Sequence, residues 1–224
     1  MPAPPAMRIL IAGVGNVLRA DDAFGVEVAK RLADLDLPEG VIVVETGIAG
    51  IALVQELQDG YDALVVVDAV DLDRTPGNVV LIDPDVVDVD DLTWTEKHDF
   101  IADMHLATPG RAMMLAKALG VLPPKRLMVG CQPVDPDSVG TGMSAPVTAA
   151  VGVAVTEILR HVDELLTGAP PGSTVLRTSW GAAGPEGPSG LLSGEQGHLH
   201  GPNCALAHTQ DHDPSTNGTG GSTN

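Results

Sequence analysis

Five short apolar runs alternate with stretches of helical periodicity, and this alternation constrains the fold more than any other feature of the chain. The runs are Arg8–Gly13, Val41–Glu45, Ala63–Asp68, Asn78–Ile82 and Arg126–Cys131. Each is rich in β-branched residues and bounded by turn formers, the pattern of strands buried on both faces. Between them, Asp21–Leu35 carries Phe24, Val28, Leu32 and Leu35 on one helical face. Ile48–Leu57 and Leu106–Leu119 repeat the pattern, and Ser144 stands where an N-cap would open a long helix reaching Leu166. Strand and helix in turn predict an α/β fold in three layers, α/β/α, with a mostly parallel sheet between helices. Aromatic residues make up only 2% of the chain. The core must therefore come from Val, Leu, Ile and Ala, which suits a covered parallel sheet.

Two segments break the rhythm. Asp83–Asp103 holds eight acids and little apolar periodicity, and reads as an excursion over the surface. From Thr167 the chain turns rich in Gly, Pro and His, with 12 of the 26 glycines. A segment of that composition buries too little apolar area to offset its ordering entropy. The expected organisation is one domain over 1–166 and a disordered tail over 167–224.

The net charge of −18 repels phosphate backbones and anionic membranes, so neither nucleic acid nor membrane insertion is expected. Two cysteines, Cys131 and Cys204, cannot build a disulfide framework or a Cys-rich zinc site. The start lacks the pattern of a signal peptide, and a cytoplasmic protein is the expectation.

Gly13-Val-Gly-Asn-Val-Leu18 follows a strand and precedes a helix, as a dinucleotide fingerprint would. Leu18 occupies the position of the third small residue, however, and Asp21 and Asp22 stand where a pyrophosphate would approach the helix. Walker-type and Gly-x-Ser-x-Gly sequences are missing, and Cys131 lies inside a strand run. Metal-competent groups remain: Asp22 after the first strand, Asp68 at the end of the third, and His105 before a helix. Open α/β sheets bind ligands beyond the carboxyl ends of their strands, so these three can share one crevice. Two carboxylates and an imidazole leave coordination positions open for water or a substrate's own ligands. Taken singly, each also has a structural reading: first-turn acid, strand-end cap, hydrogen-bonded boundary residue. His198, His200, Cys204, His208 and His212 form a second set in the tail, readable as a metal store or as incidental histidines on a solvated segment.

The run Ile11-Ala-Gly-Val-Gly-Asn-Val-Leu-Arg-Ala-Asp-Asp-Ala-Phe-Gly-Val26 resembles the signature of hydrogenase maturation proteases. Thr46-Gly-Ile-Ala-Gly50, Val66-Val-Asp68-Ala, His105 and Gly130-Cys-Gln-Pro133 resemble further motifs of that family, in order, across residues 7 to about 166. The resemblance implies a five-stranded twisted sheet and an endopeptidase that removes the C-terminal extension of a [NiFe]-hydrogenase large-subunit precursor. It implies that Asp22, Asp68 and His105 bind metal, and that the metal is nickel already held by the precursor's cysteines. Asn16 and Asp21 are the candidates to orient those ligands, because ligating groups need hydrogen-bonding partners. The first acidic ligand of the family is often Glu, one methylene longer than Asp22. A non-catalytic nickel-binding checkpoint protein or metal chaperone is the alternative reading of the same crevice.

Overall fold

The computed structural model describes residues 7–48, 50–102, 108–173 and 175–180, with the side chains of 99–102 and 176–180 outside that description. The strands are β1 (Ile9–Val14), β2 (Val41–Gly47), β3 (Ala63–Ala69), β4 (Val79–Val86), β5 (Lys125–Cys131) and β6 (Leu176–Trp180). The helices are α1 (Phe24–Ala33), α2 (Gly50–Leu57), α3 (Trp94–Ala102), α4 (Pro109–Ala118) and α5 (Ala145–Thr167). The sheet order is β2-β1-β3-β5-β4-β6. β2, β1, β3 and β5 run parallel, β4 is antiparallel to β5, and β6 is parallel to β4.

Each face of the sheet buries its own core. Leu10, Leu64, Val66 and Met128 meet Leu53, Val54 and Leu57 of α2 and Met113 and Met114 of α4 on one side. Ile9, Ile11, Val65 and Val129 meet Phe24, Val28 and Leu32 of α1 and Val147, Ala154 and Ile158 of α5 on the other. The mostly parallel three-layer architecture expected from the strand–helix alternation is therefore present. Among the described helices, α5 alone has the length and apolar content to cross a membrane. One of its faces, from Val147 to Val162, is spent on the core.

Three expectations need correction. Asp83–Asp103 is not a bare surface excursion: β4 extends to Val86, a short 3-10 turn covers Val89–Asp91, and α3 follows. Helix α3 starts on a capping box, in which Glu96 Oε2 accepts from the Thr93 amide at 2.7 Å while Thr93 Oγ1 accepts from the Glu96 amide at 3.4 Å. The helix expected from Leu106 begins at Pro109, behind Thr108, whose Oγ1 accepts from the Arg111 amide. The first part of the segment after Thr167, expected to be disordered, supplies a sixth strand, Leu176–Trp180, while 181–224 lie outside the described residues. Its approach is held by Glu164 Oε1, which accepts from the Gly172 amide at 2.7 Å, and by Glu157 Oε2, which accepts from Ser173 Oγ at 2.9 Å. Arg160 pairs with both carboxylates.

The order β2-β1-β3 reverses chain direction of growth at β1. Helix α1 covers one face and α2 the other, so a crevice opens between the carboxyl ends of β1 and β3. Its floor is a backbone-to-backbone contact. A β-carbon on Gly25 would overlap the carbonyl oxygens of Val67 and Val14, and one on Gly13 would overlap the Gly25 carbonyl oxygen. Helix α1 reaches β1 and β3 only because neither position has a side chain. Gly25→Ala should therefore destabilise the fold by about 3 kcal/mol or more, as backbone overpacking does. Gly47→Ala, at φ 55° with open space around it, should cost only about 1 kcal/mol from the left-handed backbone. Equilibrium denaturation of the two variants measures the difference, and equal losses would contradict the contact argument.

Candidate active site at the carboxyl ends of β1 and β3

Beyond β1 the chain makes a tight loop, Gly15–Arg19, and then a 3-10 turn, Ala20–Ala23, that carries both adjacent aspartates. Their side chains part company. Asp21 is 3% exposed and is turned into the protein. Its Oδ1 accepts from the Ser144 amide at 2.6 Å, and its Oδ2 accepts from the Val134 amide at 2.9 Å and from Ser144 Oγ at 3.0 Å. One carboxylate thus ties the β1–α1 loop to both ends of the β5–α5 loop. Ser144 precedes α5 as expected, but its side chain serves Asp21 and makes no cap bond to the helix. The same two loops are joined again by the Ala20 amide donating to Gly140 O at 2.8 Å and the Gly140 amide donating to Leu18 O at 3.0 Å. These bonds hold Ala20 at φ 40°, a costly conformation for a residue with a β-carbon, of the kind that surrounding structure must enforce.

Asp22 is half-buried and its Oδ2 accepts from the Asn16 amide at 2.9 Å. Asn16 contacts Asp22 through its main chain. Its side-chain Oδ1 accepts from the Leu18 amide at 3.0 Å and shapes the loop. Gly15, at φ 139°, lies so close to the Asp22 carbonyl that a β-carbon there would overlap it. Asp68 stands at the end of β3, with its Oδ1 accepting from the Ala69 amide at 2.8 Å.

The two carboxylates of Asp22 and Asp68 are near enough to repel. Burial, then the charge of Asp22, pushes the Asp68 carboxyl well above the ordinary carboxylate range, against the pull of the Ala69 amide. Burial likewise raises Asp22, opposed by the Asn16 amide and the Arg19 guanidinium. A bound cation would remove the repulsion and use the oxygens as ligands, so this donor pair fits a divalent metal. Among the described residues no third His, Cys, Asp or Glu completes a metal-competent group. His105 lies outside the described residues, as do His198, His200, Cys204, His208 and His212. Cys131 is no rival nucleophile: burial and then Asp21 push its thiol up to about 12, which keeps it protonated.

Gln132, which the sequence placed only within a turn motif, organises the crevice wall after β3. Its Oε1 accepts from the Leu72 and Arg74 amides at 2.7 and 3.1 Å, and its Nε2 donates to Asp71 Oδ1 at 2.8 Å. A lone Gln gives no sequence signal for such a role, since its partners lie about 60 residues away.

The sequence and fold resemble those of a known group of proteins. A profile of the hydrogenase maturation proteases matches residues 26–161, a span that contains Asp68 and His105 and begins just after Asp22. The hydrogenase expression/formation protein HupD of Rhizobium leguminosarum bv. viciae is 31% identical over 176 residues, 77% of this chain and 84% of that protein. A putative hydrogenase maturation protease of Methanocaldococcus jannaschii is 34% identical, over 69% of this chain and 96% of that one. Among solved structures, the hydrogenase maturating endopeptidase HybD from E. coli aligns with a TM-score of 0.56 at 26% identity, covering 71% of this chain and 94% of that chain. The hydrogenase 2 maturation peptidase of a Thaumarchaeota archaeon aligns at 0.51 and 31% identity, covering 70% and 98%. The chain belongs to the hydrogenase maturation protease family. Its activity is that of a hydrogenase maturation endopeptidase.

Folded Asp22 and Asp68 hold protons more tightly than in the unfolded chain, so the native state binds more protons and loses stability as pH rises above the unfolded carboxyl pKa. Asp68→Asn removes that loss while still accepting from Ala69. The metal-free variant should melt above the parent chain, with a gain that grows as pH rises above the unfolded carboxyl range. Asp21→Ala, which strands three donors, should instead lower stability by about 3 kcal/mol. Thermal denaturation through and above that pH range checks both signs.

Proposed function

We propose that this endopeptidase removes the C-terminal extension of a nickel-loaded [NiFe]-hydrogenase large-subunit precursor, and that Asp22, Asp68 and His105 engage the nickel which the precursor carries. The observation that supports this reading is the pair of mutually repelling carboxylates, Asp22 and Asp68, at the point where the strand order reverses. Such a pair is costly without a cation. A precursor that brings its own metal relieves that cost only once nickel is loaded, which couples docking to metal insertion. Two oxygens and an imidazole from the enzyme leave room for the sulfur ligands that the precursor already supplies.

In the cut itself, water adds to the scissile carbonyl carbon, the carbon–nitrogen bond breaks, and the departing nitrogen takes a proton. The share of this chain is to fix the distance between the metal-bearing core of the precursor and the peptide bond to be cut. Asn16 and Ala69 hold Asp22 and Asp68 through backbone amides, so little reorganisation is needed when the precursor arrives. Cytoplasmic action, with the precursor as partner, completes the proposal. The free and buried Cys131 is compatible with a reducing compartment.

Mass spectrometry of a co-expressed precursor provides the test. The intact chain should release a defined C-terminal peptide only from nickel-loaded precursor. Asp22→Ala, Asp68→Ala and His105→Ala should each reduce cleavage by at least about a hundredfold, as loss of a reacting-centre interaction does. Full cleavage by any of the three, or equal cleavage of nickel-free precursor, would overturn the assignment.

A further inference from the structure

Eleven large hydrophobic side chains are exposed among the described residues, and six of them, Val17, Leu18, Ile48, Ile51, Val134 and Val139, lie on the loops and first helical turn at the carboxyl ends of the parallel strands. Backbone bonds make them neighbours. The Gly15 amide donates to Gly47 O, which sets Ile48 beside the loop of Val17 and Leu18. The Gly140 amide donates to Leu18 O, which sets Val139 on the other side. Val134 is fixed by the hydrogen bond that its amide donates to Asp21 Oδ2. The result is an apolar rim in which Leu18 is 62% exposed, Ile48 67% and Val139 82%. Leu18 is also two hydrogen bonds from the site, since its amide donates to Asn16 Oδ1 and the Asn16 amide donates to Asp22 Oδ2.

Exposed apolar side chains gathered at one edge of the sheet in this way mark a binding face. The chain's charge of −18 repels an anionic bilayer, which disfavours a lipid surface as the occupant. Continuity with Asp22 favours the protein that must reach that carboxylate. We propose that Val17, Leu18, Ile48, Ile51, Val134 and Val139 form the docking rim for the folded body of the precursor, and that apolar contact there, rather than the metal site alone, supplies the affinity. This rests on the proposed function. It predicts that the precursor carries an apolar surface around the opening of its nickel site. Leu18 and Val139 are positioning residues: they hold the substrate and touch no reacting atom.

The test uses the full chain and a nickel-loaded large-subunit precursor from the same genome. Leu18→Asp and Val139→Asp, with the milder Leu18→Ser and Val139→Ser, are compared with Leu35→Asp, an exposed apolar position away from the rim at 41%. Titration calorimetry and cleavage kinetics should show Kd and KM raised about tenfold or more in the Asp variants, as loss of a central apolar contact does. The turnover number, the melting temperature and the affinity for nickel ion alone should stay within twofold of the parent chain or within a degree or two. Leu35→Asp should change nothing. Unchanged KM and Kd in the Leu18 and Val139 variants would overturn the rim while leaving the proposed function standing. A fall in turnover without a rise in KM would also overturn it. So would sedimentation showing a dimer that Leu18→Asp dissolves, because a second copy would then be the occupant. A parent chain that binds the precursor without cutting it would sink the proposed function, and the calorimetric arm would still decide the rim.

Discussion

Two adjacent carboxylates with opposite surroundings set up everything at the working edge of this protein. Asp21 is buried and saturated with donors, while Asp22, one residue on, keeps a half-buried carboxylate with a single backbone donor. The first is a fastener. It fixes the β5–α5 loop against the β1–α1 loop, and that junction determines where Asp22 can point. The second gains from the rigidity of the first: it is held in place without being fully satisfied, as the proposed meeting with a metal requires.

The sheet supplies the other half of the site. Asp68 stands next to the end of a central strand, after five residues from Ala63 to Val67 with almost no exposure. Its carboxylate lies within repelling range of Asp22 because β1 and β3 are neighbours and Asp22 follows β1 at the same sheet edge. Gly13 and Gly25 permit the 3-10 turn and α1 to sit directly on those two strands. The repulsion that results is tolerable for a resting enzyme and favours a state with a cation between the carboxylates.

Much of this was legible in the sequence, for reasons that are physical. β1, β3 and β5 showed themselves because buried parallel strands have nearly unbroken apolar runs, β2 and the antiparallel β4 by their β-branched residues, and the ends of β1 and β3 placed Asp22 and Asp68 at one edge. What escaped was tertiary or obscured by composition. The roles of Asp21 and Gln132 depend on partners more than a hundred and about sixty residues away, respectively. Helix α3 was hidden by the acids around it, although Thr93 and Glu96 spelled its capping box. β6 escaped because Leu176–Trp180 is embedded in a Gly- and Pro-rich segment, and its pairing comes from the exposed edge of β4 and the Glu157–Arg160–Glu164 anchor.

The central claim is that oxygen ligands of this chain meet nickel that the substrate still holds. Nickel X-ray absorption on the enzyme trapped with loaded, uncleaved precursor addresses it most directly. The account predicts a sulfur-ligated spectrum for free precursor that gains oxygen or nitrogen scatterers on adding the enzyme, with the oxygen share lost in the Asp22→Asn/Asp68→Asn double variant. A spectrum unchanged by the enzyme, in a complex shown to be formed, would contradict it.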